Sequence, residues 1–335
     1  MKKIWLGIAA AAALLAAALT GCGQSKEVSQ DFYAMDTAMN IRAYGARAQE
    51  AVNQCVQAIN ELEQHISRTR ESSELYALNR AEGQPVALSE QTADVLEQAL
   101  RLAEQTEGCF DPTIAPVTDL WGIGTENAAV PAQADIDAAL AHVNYADVQL
   151  DGTTAALPAG TCIDLGGIGK GYAADLTAQL LREAGVQRAV VTLGGNVYVL
   201  GEKADGEPWV VGISDPDNPG DYFATLRVSD TSVVTSGDYE RYFEQDGVRY
   251  CHIFDPETGW PAQTDLRSVT VVSASSTEAD AYTTALFVMG YERARAFCEA
   301  HGIPAVFVKD DHTVAVTDDL RDSFSLTSTE YTYEA

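Results

Sequence analysis

Residues 161–185, TCIDLGGIGKGYAADLTAQLLREAG, decide how the rest of the chain is read. A short apolar strand ends at Asp164, glycines at 166, 167, 169 and 171 crowd around Lys170, and an amphipathic helix follows with Leu176, Leu180 and Ala184 along one side. Backbone N–H groups, a helix N-terminus and one lysine meeting at a point make a site for an anion, and phosphate suits it best. Two well-known glycine patterns fail here. GxxxxGK[ST] needs a glycine where Asp164 stands and a hydroxyl where Gly171 stands. The dinucleotide pattern starting at Gly167 finds Gly169, then Tyr172 in place of its third glycine. The segment is neither a P-loop nor a Rossmann turn. Its plainer alternative is a tight strand-to-helix turn that needs positive φ and nothing more.

Outward from this stretch, strands and helices alternate. MDTAMNIRAYG (35–45) reads as a strand, and Val52, Cys55, Ile59, Leu62 and Ile66 mark a helix with one apolar face. Val95, Leu96, Ala99, Leu102 and Ala103 mark a second helix, stopped by Gly108, and 135–143 a short third. RAVVTLGGNVYVLGEK is strand, glycine break, strand. WVVGISDP, FATLRVSD, TSVVTSG, YCHIFDP and SVTVVSAS are further strands bounded by Asp-Pro or Gly turns. A last helix is expected over 277–289, and AVFVKDDHTVAVT reads as a closing hairpin. Helices early and strands clustered late predict an α+β fold with a mixed, largely antiparallel sheet, flanking helices and an active-site cleft between lobes.

Lys2 and Lys3 precede an apolar Ala/Leu run closed by Leu19-Thr20-Gly21-Cys22, which reads as a secretory signal over 1–21. The small residues before Cys22 are those of a lipobox, so Cys22 is expected to carry lipid, with 22–30 as a polar tether and 31–330 as the folded domain. The protein is then expected at the cell membrane, lipid-anchored on its extracytoplasmic face. A formal charge of −28 over 335 residues argues against nucleic acid and other polyanions, and makes any anion site depend on local donors or a metal. Past Cys22 the cysteines are Cys55, Cys109, Cys162, Cys251 and Cys298, an odd number without CxxC spacing, expected as buried thiols.

Three other groupings have chemical potential. In TEADAYTTALFVMG, Asp280 and Thr284 lie one helical turn apart with Thr283 beside them, hard oxygens that suit Mg²⁺. The same residues also read as a first-turn acid on the helix dipole and a threonine bonded back to its own helix. In YCHIFDPETGWP, His252 stands on a strand three residues before Asp255, which opens an Asp-Pro turn. His252 can take a proton from a hydroxyl near neutral pH, or simply be a hydrogen-bonded core residue. In GCFDPTIAPVTDLWGIG, Phe110 and Asp111 can stack on and bond a ring, or begin a strand.

Taken together, IDLGGIGKGYAADL, LGGNVYVLG, SGDYERYF, HIFDPETGWP and EADAYTTALFVMG, in this order, resemble the ApbE family, the FAD:protein FMN transferases of bacterial envelopes. The resemblance runs from about Met35 to about Asp310, and many members of that family are lipoproteins. It implies an enzyme that splits FAD at its pyrophosphate, joins the FMN half by a phosphoester bond to a Thr or Ser of a partner protein, and releases AMP. It implies Mg²⁺ held by Asp280, Thr284 and the Gly167 carbonyl. FAD contacts are implied at Met35, Cys109, Phe110, Asp111, Asp164, Lys170 and Ile253, with His252 as proton acceptor, alone or with Asp255. Thr69 stands where an aromatic often stacks on the flavin, and Asp36 where the family usually has glycine. Implied acceptors are membrane redox complexes of the RNF or sodium-pumping NADH:quinone reductase type, or extracellular electron-transfer proteins. Two alternatives stay open: a Mg²⁺-dependent FAD pyrophosphatase releasing FMN and AMP, and a flavin-binding lipoprotein without turnover.

Overall fold

A computed structural model describes residues 26–218 and 220–334. The expected signal peptide and Cys22 lie outside the described residues. The main sheet has nine strands, numbered here in chain order: β1 (Glu27–Ala34), β2 (Thr37–Tyr44), β3 (Arg188–Leu193), β4 (Asn196–Leu200), β5 (Thr231–Gly237), β6 (Leu266–Ser273), β7 (Ala305–Lys309), β8 (Thr313–Val316) and β9 (Thr332–Glu334). Each strand pairs with its neighbours in that order. All pairs are antiparallel except β8–β9, which is parallel.

Long excursions leave this meander and carry the helices. Between β2 and β3 come α1 (Ala48–Ile66), α2 (Glu74–Asn79), α3 (Glu90–Gln105), α4 (Ala115–Trp121), α5 (Gln133–Leu140) and α6 (Gly166–Glu183). Between β6 and β7 come α7 (Ser276–Met289) and α8 (Tyr291–His301). This is the expected α+β arrangement with a mixed, mostly antiparallel sheet. Strand β1 starts at Glu27, inside the stretch expected as tether, because every one of its residues pairs with β2. At the other end, buried Tyr331 and β9 carry the folded unit past 330.

The strand period of two sorts the sheet's faces. Ala189, Val191 and Leu193 of β3 and Tyr198 and Leu200 of β4 are buried with the apolar faces of α1, α3 and α6. The alternate residues Val190, Val197 and Val199 turn to a second small sheet, made by Trp209–Ser214, Tyr222–Val228 and Phe324–Leu326. On α1, Val52, Cys55, Ile59, Leu62 and Ile66 form the predicted stripe. Each fully buried Ile or Leu there contributes about 1.5–3 kcal/mol relative to an exposed one.

The glycines of the 161–185 stretch have a different role from the one positive φ would give them. Gly166, Gly167, Gly169 and Gly171 all lie within α6, and none has positive φ. What they supply is room. A Cβ on Gly171 would sit 2.3 Å from the Ser276 carbonyl oxygen, so α6 and α7 cross with their backbones in contact. A Cβ on Gly167 would meet the Phe110 ring at 3.0 Å.

The sequence pattern did not announce α8, whose buried side is only Tyr291, Ala294 and Cys298. Nor did it announce α4 or the strand Tyr242–Gln245, which pairs with Val248–Cys251. That hairpin packs Phe243 and Tyr250 on the fully buried Trp121. The cysteines named above are free thiols, buried except for half-buried Cys162. Among the described residues no helix is long and apolar enough to cross a bilayer.

Candidate active site

The site is built where α6 crosses the start of α7. Ser275 caps α7 by accepting the Glu278 N–H, and Asp175 of α6 completes the cap from outside. One Asp175 oxygen accepts the Ser276 N–H at 2.8 Å; the other accepts the Thr277 N–H at 2.9 Å and the Thr277 and Ser275 hydroxyls. A carboxylate at a helix N-terminus is favoured by the orphan N–H groups and the dipole. Here it also fixes α7 to α6, which sets Asp280 one turn further along.

Asp280 is buried, not an exposed helix acid. One oxygen accepts the Gly171 N–H at 2.8 Å, and the other lies 3.5 Å from the Lys170 ammonium. Burial pushes its carboxyl up, and Lys170 and then the Gly171 N–H oppose that shift. The Gly171 N–H, inside α6, thus donates across the helix crossing to a residue of α7. Thr284 bonds back to the Asp280 carbonyl at 3.4 Å, and its Oγ1 lies 3.8 Å from where a Gly167 Cβ would stand. Among the described residues no three His, Cys, Asp or Glu side chains gather to hold a metal. The oxygens at hand are one carboxylate, one hydroxyl and the Gly167 backbone beside them, a sparse hard set that fits Mg²⁺ keeping most of its waters.

Around this floor stand His252, Glu240 and Arg241. His252 lies just past the strand Val248–Cys251 rather than on it, with its N–H bonded to the Arg241 carbonyl at 3.0 Å. Its Nδ1 is buried without a partner. Burial first, then the charges of Lys170 and Arg241, push its imidazole down to about 4, so the ring is neutral at physiological pH. Glu240 is reached by solvent yet walled by protein, and burial pushes its carboxyl up, opposed chiefly by Lys170. The Arg241 guanidinium reaches the Asp36 carbonyl at 3.4 Å and ties the β1–β2 turn to this rim. Met35 and Asp36 form that two-residue turn, both with positive φ (49° and 57°), which is why glycine is the easier residue at 36.

Of the residues singled out in the sequence, Gly167, Lys170, Asp280 and Thr284 come together, with Phe110 against Gly167 and His252 within reach of the Lys170 charge. Asp164 stands at the α6 N-terminus, where it accepts the Gly166 N–H at 2.8 Å and pairs with Arg68 at 3.0 Å. Thr69, next to Arg68, lies in an exposed loop and bonds to Ser67. Cys109 and Ile253 are buried, and the Ile253 carbonyl accepts the Ala262 N–H.

Two of the acids have hydrogen-bond partners within the loops around them. Asp111 directs one oxygen to the Thr113 N–H and hydroxyl and the other to the Tyr145 N–H, so its carboxylate is occupied within its own fold. Asp255 accepts the Glu257 N–H and the Thr258 hydroxyl, both at 2.9 Å, and so holds the Asp-Pro turn. Reading of the sequence passed over Asn196, Glu240, Arg241 and Asp175. Only the charged pair closing SGDYER and the asparagine after two glycines hinted at the first three.

A nine-stranded sheet flanked by helices, with a buried carboxylate paired to a lysine at a helix N-terminus, suits a phosphate-bearing ligand. The ApbE family model matches residues 35–307, and the chain belongs to that family. It is 39% identical over 317 residues to the FAD:protein FMN transferase of Treponema pallidum, covering 88% of each chain. It is 35% identical over 327 residues to the protein of that name from Vibrio cholerae, covering 91% of this chain and 93% of the other. The crystal structure of the ApbE protein from Thermotoga maritima superposes with a TM-score of 0.84 at 32% identity, over 89% of this chain and 99% of that one. The apo flavinyl transferase ApbE of Pseudomonas stutzeri gives 0.83 at 29% identity, over 92% and 100%.

Proposed function

We propose that this chain is an FAD:protein FMN transferase, joining the FMN half of FAD by a phosphoester bond to a Thr or Ser of an acceptor protein and releasing AMP. Family membership and the names of its relatives support the reading. The observation that carries it is the Lys170–Asp280 pair, 3.5 Å apart at the N-terminus of α6, with a neutral His252 in the field of that lysine.

The chemistry follows from these groups. The acceptor hydroxyl oxygen attacks the FMN-side phosphorus, the P–O bond to the AMP phosphate breaks, and its electron pair leaves with AMP. The hydroxyl proton passes to His252, which burial keeps in its free-base form. A base with so low a pKa accepts the proton late, once bond formation has made the hydroxyl acidic. Lys170 and the N–H groups opening α6 set fixed positive potential against the phosphates, which a chain of charge −28 otherwise lacks. Asp280, Thr284 and the Gly167 carbonyl are the residues that would hold Mg²⁺, which when bound withdraws charge from the pyrophosphate. Little covalent work falls to the protein, so holding the hydroxyl in line with the breaking bond supplies much of the rate.

The setting belongs to the same proposal. A lipid on Cys22 and an extracytoplasmic location would bring the site to membrane redox complexes of the RNF or sodium-pumping NADH:quinone reductase type, or to extracellular electron-transfer proteins. The test is to incubate the mature protein with FAD, Mg²⁺ and a candidate acceptor domain, then read flavin fluorescence in a denaturing gel. Covalent fluorescence on the acceptor is expected. Free FMN and AMP with a dark acceptor would make the protein a pyrophosphatase, and unchanged FAD a binder.

A further inference from the structure

Asn196 opens β4 directly after the Gly194–Gly195 turn. The turn is tight: Gly194 has φ of 63°, and a Cβ on Gly195 would sit 3.0 Å from the Thr235 carbonyl and 3.1 Å from Glu240 Oε1. Strand alternation places Asn196 on the helix side of the sheet with Tyr198 and Leu200, and it is 1% exposed. There its amide stands beside the Asp280 carboxylate. That approach opposes the upward shift of the carboxyl but falls short of good hydrogen-bond geometry, and Oδ1 has no partner among the described residues. A buried amide left unpaired is costly, and packing alone would be served as well by an isosteric leucine. The amide therefore needs a partner in some working state of the protein.

Asp280 shows which state that is. Its two oxygens are now held by the Gly171 N–H and by Lys170. A lysine that turns to the phosphates of a bound ligand gives up its hold on Asp280, just when that carboxylate must face a cation. Resting on the function proposed above, we infer that Asn196 is a positioning residue for Asp280. When Lys170 swings to the phosphates, the Asn196 Nδ2–H donates to the carboxylate and keeps it turned toward the metal. Partners behind a metal ligand tune its orientation and affinity in this way.

The test compares the mature protein with Asn196→Ala and Asn196→Leu by thermal unfolding over a Mg²⁺ titration, in the presence of FAD. The wild type is expected to rise in Tm with Mg²⁺. Both variants are expected to unfold near the wild-type temperature without Mg²⁺, and to bind FAD in its absence as the wild type does. Their half-saturating Mg²⁺ concentration is expected to rise roughly 10- to 100-fold, the usual effect of losing such a partner. An unchanged Mg²⁺ midpoint in both variants overturns the inference and leaves the transferase reading standing. Loss of the folded state in both overturns it in favour of a structural role. A wild type that does not respond to Mg²⁺ removes this inference and the metal part of the proposed function together.

Discussion

The carboxylate at 280 and the carboxylates at 111 and 255 began as equals, each an acid in a segment rich in chemical potential. In the folded protein they differ in what their oxygens already accept. Asp111 takes three donors from its own neighbourhood, and Asp255 two from the turn it opens. Asp280 takes one backbone N–H, and its other contact is a lysine on a flexible stem. The first two are held by donors from the loops around them and keep those loops in shape. The third is buried, and one of its oxygens faces a cation on a flexible stem that can turn away. Whether an acid is held by the loops around it or by a mobile cation, not its presence in a motif, separates the two roles.

The sharpest way to break that contrast is Asp280→Ala. Transfer is expected to fall to background, a loss of roughly 10³-fold or more, since it removes the charge that organises Lys170 and the metal position. Asp280→Asn, which keeps the shape, is expected to fold with its circular dichroism unchanged and still fail to transfer. Normal flavinylation by the asparagine variant would place the chemistry elsewhere.

Next in size is His252→Asn, expected to lower the transfer rate about 10²- to 10³-fold while FAD affinity stays close to wild type. Because His252 is pushed down to about 4, the wild-type rate is expected to hold level from pH 8 to pH 6 and to fall as pH approaches 4. Stability has the same sign. Neutral His252 contributes above its unfolded pKa of 6.5, and that contribution is lost as pH falls from there toward 4, where the folded state resists the proton that the unfolded chain accepts. Loss of this acid-side slope in the His252→Asn variant checks the assignment; a wild-type rate that already drops between pH 7 and 6 would speak against it.

Asp175→Ala has its main effect on stability. It strips two backbone N–H groups and two hydroxyls of a charged acceptor and loosens α7 on α6, at a cost of about 2–3 kcal/mol in chemical denaturation. Asp255→Ala and Asp111→Asn complete the series, with about 1–2 kcal/mol each and kcat little changed. A large loss of kcat in either, at full stability, would dissolve the distinction between loop-held acids and Asp280.

Much of this was legible beforehand. The stripe on α1, the LGGN and SGDYER stretches and the Asp280–Thr284 spacing were visible in order, and the strands and helices that carry them form nearly where periodicity placed them. Helix α8 was not visible, because three buried residues in eleven leave too faint a period. The strand at β1 was hidden for another reason: its alternation, with Val28 and Ala34 buried and Tyr33 exposed, is broken by polar residues that only pairing with β2 stabilises.

What the sequence determined by itself was the inventory and the local geometry: an α+β order, a glycine-rich helix start around Lys170, and an acid and hydroxyl one turn apart. These rest on neighbours in the chain, which periodicity and turn chemistry report directly. What only the tertiary structure decided was which polar atoms were already in use. The Gly171 N–H donates to a residue 109 positions away, and Asn196 is buried beside that same carboxylate without reaching good hydrogen-bond geometry. The glycines prove to give room for a helix crossing instead of a left-handed turn. Such facts depend on through-space approach between segments distant in sequence, and hydrogen-bond capacity is counted in space.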